Sequence, residues 1–468
     1  MNPDWVVLKF GGTSVAGGPQ WQTIRNLLQQ RLDANQRVLL VCSAVSGVTN
    51  QLTELADSPS TALLEKIVQR HVQLATELEV GNDSWLEPGR QRMEACVLRL
   101  QQGENHAARA DLLACGEWLS TRIGSVYLSR FMPVDWLDVR HHLVARPEPE
   151  LSAARQWLSA SCVAGPDAAF QKQCAAMAPV VVTQGYTAAN PDGATVLLGR
   201  GGSDTSAALL AGRLQASWVE IWTDVPGLFS ADPRLVADAR LLEDLEFAEA
   251  LEMAAAGAKV VHPSCIRAAA ETGTPIHIRD THRPGLTGTR ISHLAGTQSG
   301  VKTITCQKDM LVLLLAKIDT RREVGFLASV FGVFRQRGVS IDLVATSETT
   351  TTVALNRPAN LLDDASLAAL VQDLAEYCTV EVFANCVCVN LVGNSVRKAL
   401  AQLQGSMQYF ADNPLLMMSQ SANDLCLSLL LPEGEHAAFV QQLHRELIIA
   451  NQAAPAFGPS WHDVQRWE

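Results

Sequence analysis

Short apolar runs, each ending in a glycine-rich or hydroxyl-rich loop, recur through the first 290 residues of this 468-residue chain. That alternation limits the possible folds more than any other feature. Residues 5–10 (WVVLKF) read as a strand closed by Gly11-Gly12-Thr13-Ser14. Trp21, Ile24, Leu27, Leu28 and Leu32 then recur at helical spacing. Residues 37–42 (RVLLVC) form a second run, closed by Ser43 to Asn50. A long helical stretch is expected over 61–130, punctuated by Gly81 and Pro88-Gly89. Further strands are expected at 132–137, 179–184, 218–223 and 275–279, with helices near 246–269 and a hairpin turn at Asn190-Pro191-Asp192-Gly193. GRGGSDTSAALLAG (199–212) reads as a glycine loop entering a helix, with Ser203 as its N-cap. Strands alternating with helices predict an α/β domain over residues 1–295 with a largely parallel central sheet.

The pattern then changes. LAGTQSG (294–300) reads as a linker. A strand–helix–strand–strand order follows at 310–318, 325–337, 339–346 and 350–356, with a helix near 362–376. The order repeats at 380–392, 394–405, 415–419 and 425–431, with a helix near 434–447. Two small α+β units are therefore expected at 301–378 and 379–455, with a tail or linker at 456–468.

Charge narrows the function. Lys+Arg total 37 against 48 Asp+Glu, a net charge of −11. Nucleic acid or an anionic membrane as the main partner would need a basic surface. No stretch approaches the ~18–20 apolar residues of a membrane span. The first apolar run is interrupted by Lys9 and ended by Gly11-Gly12, so it is no signal peptide, and a cytoplasmic protein is expected. The eleven cysteines sit mostly in apolar runs and read as reduced core thiols. Cys386 and Cys388 lack further ligands at suitable spacing, so no metal site is expected.

The loops after the strands carry the chemistry. Gly11-Gly12 lets a ligand approach the backbone closely, and the helix start beyond it favours an anion. Lys9 inside an apolar strand is costly unless something negative receives it. Gly199-Arg200-Gly201-Gly202-Ser203-Asp204 puts a cation and a carboxylate at a helix start. Ser43, Thr49, Thr223 and Asp224 also follow strands, where ligands of open α/β sheets bind. There is no Gly-Lys pair for a Walker A loop, and Asp204 stands where a dinucleotide fingerprint needs glycine.

KFGGTS (9–14), SAVSGVTN (43–50), GEWLSTR (116–122), GRGGSDTSA (199–207), WTDVPGLFSADPR (222–234) and GAKVVHP (257–263) together resemble the motifs of the aspartate kinases. The resemblance covers roughly residues 5–290. GFLASVFGVF (325–334), VSIDLVATSE (339–348) and MMSQSAND (417–424) resemble the paired ACT domains of such kinases. The overall run is most similar to the kinase part of a bifunctional aspartate kinase/diaminopimelate decarboxylase, which implies a possible C-terminal fusion enzyme.

The resemblance implies an amino-acid-kinase fold followed by two ferredoxin-like ACT domains. It implies ATP-dependent phosphorylation of the L-aspartate side-chain carboxylate to 4-phospho-L-aspartate, the first step of lysine, threonine and methionine biosynthesis. Lys9, Arg200 and Asp204 would be catalytic, with Arg200 also gripping the substrate α-carboxylate. Ser43, Thr49 and Glu117 would complete the aspartate pocket. Lys9, Gly11, Gly12, Thr13, Ser14, Thr223, Asp224, Phe229, Arg234 and Lys259 would bind ATP, with Mg²⁺ mainly on phosphate oxygens. Phe229 departs from the tyrosine of many relatives. An amino-acid effector, lysine first and threonine second, would bind at Phe326, Leu327, Ile341, Asp342, Ser347 and Glu348. A homodimer paired through the ACT domains is also implied. Two other readings stay open at this level. One is a kinase of another acidic amino acid of the glutamate type. The other is an amino-acid sensor with a dead kinase domain, in which Lys9, Arg200 and Asp204 would not share one pocket.

Overall fold

The computed structural model describes residues 4–82, 84–258, 260–293, 299–316, 325–403, 405–434, 436–451 and 457–466. Strand β1 (Trp5–Phe10) is buried at every position after Trp5, as a central strand covered on both faces must be. Helix α1 (Gly18–Asp33) leads to β2 (Arg37–Cys42). The stretch expected as one long helix is broken into α3 (Thr61–Glu77), α4 (Leu86–Gln101) and α5 (Asn105–Leu128), preceded by α2 (Val48–Asp57). Then come β3 (Val134–Leu137), the short helices α6 (Ala153–Leu158) and α7 (Ala168–Ala176), β4 (Val180–Gln184) and the hairpin of β5 (Thr187–Ala189) and β6 (Thr195–Leu197). Helix α8 (Gly202–Leu214), β7 (Trp218–Thr223), β8 (Arg240–Leu242) and β9 (Asp244–Leu245) follow. The helical stretch expected at 246–269 is two helices, α9 (Phe247–Ala255) and α10 (Pro263–Thr272), with Gly257 at φ +101° between them. Strands β10 (Ile276–Asp280) and β11 (Thr289–Ile291) close the domain.

The sheet order is β3-β4-β2-β1-β7-β10-β11-β9, and only the β10–β11 pair is antiparallel. Val6, Leu8 and Phe10 pack with Trp21 and the helices α2 to α5 on one face. Val7, Leu39 and Val41 pack with α8 to α10 on the other.

The second sheet is built on two long strands, β12 (Gly300–Ala316) and β15 (Thr379–Asn394), paired antiparallel. Between them in the chain lie α11 (Phe326–Gln336), β13 (Leu343–Thr346), β14 (Thr350–Asn356) and α12 (Asp364–Ala375). After β15 come α13 (Tyr409–Asp412), β16 (Met417–Gln420), β17 (Cys426–Leu431) and α14 (Ala437–Leu447). The order is β13-β14-β12-β15-β17-β16. Asp309 and Asn385 take left-handed backbone (φ 58° and 54°) where the register slips, so the ribbon bends there. Met310, Val312, Cys386, Cys388, Met417 and Leu430 are buried together around this bend.

Each half of the sheet is a strand–helix–strand–strand unit, but the second half is closed by residues 300–306, which precede the first half in the chain. The expected linker therefore ends at Gly300, the start of β12; residues 294–298 lie outside the described residues. The helix expected at 394–405 is a 3-10 turn, Val396–Ala401. A last strand, β18 (Phe457–Ser460), returns to pair with β8, and α15 (Trp461–Gln465) follows it. The eleven cysteines form no disulfides with one another. Among the described residues, no helix is long and apolar enough to cross a membrane.

Candidate active site

β1 lies between β2 and β7, so the chain leaves it in opposite directions on its two sides. A crevice opens at the C-terminal ends of such strands. Here it is a cleft of about 650 Å³ that gathers Lys9, Ser43, Thr49, Glu117, Arg200 and Asp204. All six residues named from the sequence as catalytic or aspartate-binding therefore share one wall-to-wall space.

Lys9 sits in register between Val41 and Ile221 and is 8% exposed. Its Nζ is 2.5 Å from Asp204 Oδ1. An ammonium this deep needs such a partner, since desolvation otherwise outweighs its attractions. Asp204 lies in the first turn of α8, whose N-terminal N–H groups favour a negative charge. The N-cap of α8 is Gly201, at φ +67° and with no side-chain cap, rather than Ser203. A Cβ at Gly201 would lie 2.2 Å from the His262 Cβ, so only glycine allows this entry. Ser203 instead packs in the first turn against Gly185. Arg200 precedes this turn and is exposed to the cleft.

The Gly11-Gly12 loop is held from two sides. Gly11 N donates to Trp222 O (3.3 Å), and Ser46 N donates to Gly12 O (3.1 Å). A side chain at Gly12 would begin 2.8 Å from Ala44 O. Glu117, on α5, is 3% exposed, and its Oε2 has no hydrogen-bond partner among the described residues. Burial raises its pKa to about 8, against backbone hydrogen bonds from Ala44 and Glu117 itself that lower it. Ser120 Oγ, one turn along, donates to Ser43 O at 2.7 Å and ties the β2 loop to the same helix.

On the other side of Lys9, Thr223 Oγ1 donates to Asp224 Oδ1 (3.1 Å) after β7. The Ser14 hydroxyl is buried and spends itself on Thr281 Oγ1 (2.7 Å), which donates in turn to Thr223 O (3.0 Å). Thr13 is exposed. The Phe229 ring meets Trp461 edge-on, with centroids 5.4 Å apart. Arg234 is exposed and clasps Asp232 (2.7 Å). Lys259 lies outside the described residues.

The residues named for an effector lie far along the chain, in the first half of the second sheet. Phe326 opens α11 behind Gly325 (φ +99°), and Leu327 is exposed. Asp342 Oδ2 accepts from Asn356 N (2.6 Å), and burial raises its pKa. Ser347 Oγ meets Thr350 Oγ1 at 2.8 Å. Ile341 is half-buried just before β13, and Glu348 follows in the β13–β14 turn.

A residue of the cleft, Tyr186, and one beneath its glycine loop, His262, escaped the sequence reading. Tyr186 lines the cleft with φ +64°, a strained backbone for a bulky side chain. The signal available was its place directly after Gly185 at the end of β4. His262 packs under Gly201 and caps α10, its Nδ1 accepting from Ser264 N (3.3 Å). His262-Pro263 is a helix-start signal, but nothing local says what it packs against.

Comparison with known proteins agrees with this fold. The amino acid kinase family matches residues 4–280. Lysine-sensitive aspartokinase 3 of Escherichia coli is 31% identical over 94% of this chain and 99% of its own length. Chloroplastic aspartokinase 2 of Arabidopsis thaliana is 28% identical over 94% of this chain and 83% of its own. The crystal structure of E. coli aspartokinase III in complex with aspartate and ADP (R-state) superposes with a TM-score of 0.79 at 30% identity, covering 95% of this chain and all of that one. The same enzyme with lysine and aspartate (T-state) gives 0.78 at 29% identity, covering 95% of this chain and 99% of that one.

Proposed function

The chain belongs to the amino acid kinase family and is an aspartokinase, and on that premise we propose how its residues divide the ATP-dependent phosphorylation of L-aspartate. The observation that carries the proposal is the meeting of two cations and a buried carboxylate in one cleft: Lys9, Arg200 and Glu117. Aspartate offers two carboxylates and an ammonium, the complementary set. The Arg200 guanidinium receives the α-carboxylate through two parallel hydrogen bonds. Glu117 receives the ammonium on its unpartnered Oε2. Ser43 and Thr49 fill the pocket between them.

The side-chain carboxylate is then directed at the γ-phosphate. It needs no general base, because a free aspartate side chain with a pKa near ~3.9 is already ionised. The obstacle is repulsion between two anions, so positioning and charge neutralisation do the work. Lys9 sits where the transferring oxygens gather, and Asp204 fixes its ammonium. The loop of Gly11, Gly12, Thr13 and Ser14 lines the phosphates; the Gly11 N–H is given to Trp222 O and the Ser14 hydroxyl to Thr281 Oγ1, so the donors it offers are the Gly12 N–H and the exposed Thr13. Thr223, Asp224, Phe229, Arg234 and Lys259 hold the rest of the nucleotide. Mg²⁺ enters with ATP as part of the substrate, because Mg²⁺ bound through phosphates keeps most of its shell from phosphate and water.

Arg200→Lys tests the division between ligands. The KM for aspartate should rise by about tenfold or more, because a point charge replaces a planar fork. The KM for ATP should stay within about twofold, as expected when only the other ligand's contact is lost. Equal weakening of both ligands would place Arg200 on the phosphates.

Regulation belongs to the second sheet, and the lysine complex of the E. coli relative favours lysine as the effector. The start of α11 at Phe326 and Leu327 suits its α-carboxylate. Asp342, with Ile341, Ser347 and Glu348 around it, suits an ammonium. Inhibition requires lysine to prefer the inactive arrangement by ~1–3 kcal/mol. Asp342→Asn keeps an acceptor for Asn356 N but removes the charge. It should raise the inhibitory lysine concentration and leave the uninhibited rate intact; wild-type inhibition would remove Asp342 from the effector site. We read the active species as a cytoplasmic homodimer joined through these sheets, where Val344, Val382 and Leu327 present apolar surface.

A further inference from the structure

We propose that residues 457–466 position the nucleotide loop, with Trp461 acting through Phe229. This rests on the reading that the loop after β7 receives ATP. The segment is tied to the kinase domain at four points. β18 pairs with β8 through Phe457↔Leu242 and Ser460↔Arg240. The Arg240 guanidinium donates twice to Gly458 O, from Nε (2.9 Å) and Nη2 (2.8 Å). Trp461 N donates to Ala239 O (2.7 Å). Gly458 lies close against the Glu243 side chain, 2.6 Å separating the place of a Cβ from Glu243 Oε1.

These ties converge on the loop. Arg240 exchanges hydrogen bonds with Ser230, the residue after Phe229: Ser230 N donates to Arg240 O (2.8 Å), and Arg240 N donates to Ser230 Oγ (2.8 Å). The same Arg240 therefore joins Gly458 to Ser230. Trp461 then stands edge-on to Phe229 with an interplanar angle of 83°. Ser460 and Asp463 cap each other reciprocally, and Val464 is fully buried, so the Trp461 side chain is presented from a fixed turn. The Phe229 ring, five residues after Asp224, is thus held by a segment more than two hundred residues away in the chain. Trp461 is a positioning residue: it touches Phe229, not the reacting atoms.

The test is steady-state kinetics on the full chain carrying Trp461→Ala, Trp461→Leu or Trp461→Phe, with Asp224→Ala as the reference for the nucleotide site. Loss of the edge-on aromatic pair should raise the KM for ATP about fivefold in Trp461→Ala and Trp461→Leu. The KM for aspartate and kcat should stay within about twofold, the pattern of a lost ground-state contact. Trp461→Phe, which keeps an aromatic edge, should restore the KM for ATP. If Trp461→Ala does not fold, Trp461→Leu decides by the same readout. A KM for ATP unchanged beside a raised one in Asp224→Ala overturns the role of Trp461 alone. An equal rise in both KM values, or no rescue by phenylalanine, overturns it as well. If Asp224→Ala also leaves the KM for ATP unchanged, the nucleotide placement fails and the inference with it.

Discussion

Lys9→Met lowers kcat by about 10²–10³ while the protein stays folded, the effect expected for removing one preorganised charge from a phosphoryl-transfer site. Methionine keeps the buried stem in the strand between Val41 and Ile221 and deletes only the ammonium. The asymmetry of the pair makes lysine the better partner to remove. Its side chain is 9% exposed and that of Asp204 is 14% exposed. Deleting Asp204 would strand the deeper charge, so a loss of activity in Asp204→Ala could reflect loss of fold. Deleting Lys9 leaves a carboxylate at the N-terminus of α8, where the helix itself supports it. Turnover near wild type in Lys9→Met, with an unchanged melting temperature, would remove Lys9 from the chemistry.

Glu117→Gln raises the KM for aspartate by about 10- to 100-fold, because a hydrogen bond between two charged groups becomes one with a neutral amide. It also changes the pH dependence, and the sign follows from burial. With its pKa raised to about 8, Glu117 is largely protonated in the free enzyme at neutral pH. An ammonium binds the ionised form, so aspartate binding releases a proton. With ATP saturating, kcat/KM for aspartate should climb as pH rises toward 8 and then level off. In Glu117→Gln that climb should vanish. Stability moves the other way. The folded state holds this proton more tightly than the unfolded chain, so the contribution of Glu117 is present below its ordinary value of 4.5 and is lost as pH rises through about 8. Glu117→Gln should therefore lose less stability than wild type over that range. An unchanged KM, or a pH profile that keeps its climb, would take Glu117 out of the ammonium site.

Much of the catalytic half was legible because its strands are buried on both faces and stop abruptly. WVVLKF and RVLLVC allow little besides central parallel strands, and the glycine and hydroxyl loops after them mark where a ligand can approach. Lys9, Ser43, Thr49, Arg200 and Asp204, from three separate segments, could be named together because the fold rule places such strand ends and their loops at one edge, whereas Glu117, inside α5, came only with the resemblance. What stayed hidden depends on distant partners. Gly201 rather than Ser203 starts α8 because His262, about sixty residues on, leaves no room for a Cβ. Residues 301–306 carried no expected element because their pairing partners, 389–393, lie far ahead in the chain. The strain at Tyr186 and the return of residues 457–460 onto β8 likewise have no local signature.

The most direct measurement of the central claim is ADP release by the purified full chain with MgATP, with and without L-aspartate, coupled to hydroxylamine capture of the acyl phosphate. The account predicts ADP and hydroxamate formed in equal amounts, dependent on L-aspartate and absent with L-glutamate, whose extra methylene moves its side-chain carboxylate out of line when Arg200 and Glu117 hold the α-groups. ADP release indifferent to aspartate, or equal hydroxamate from glutamate, would contradict it.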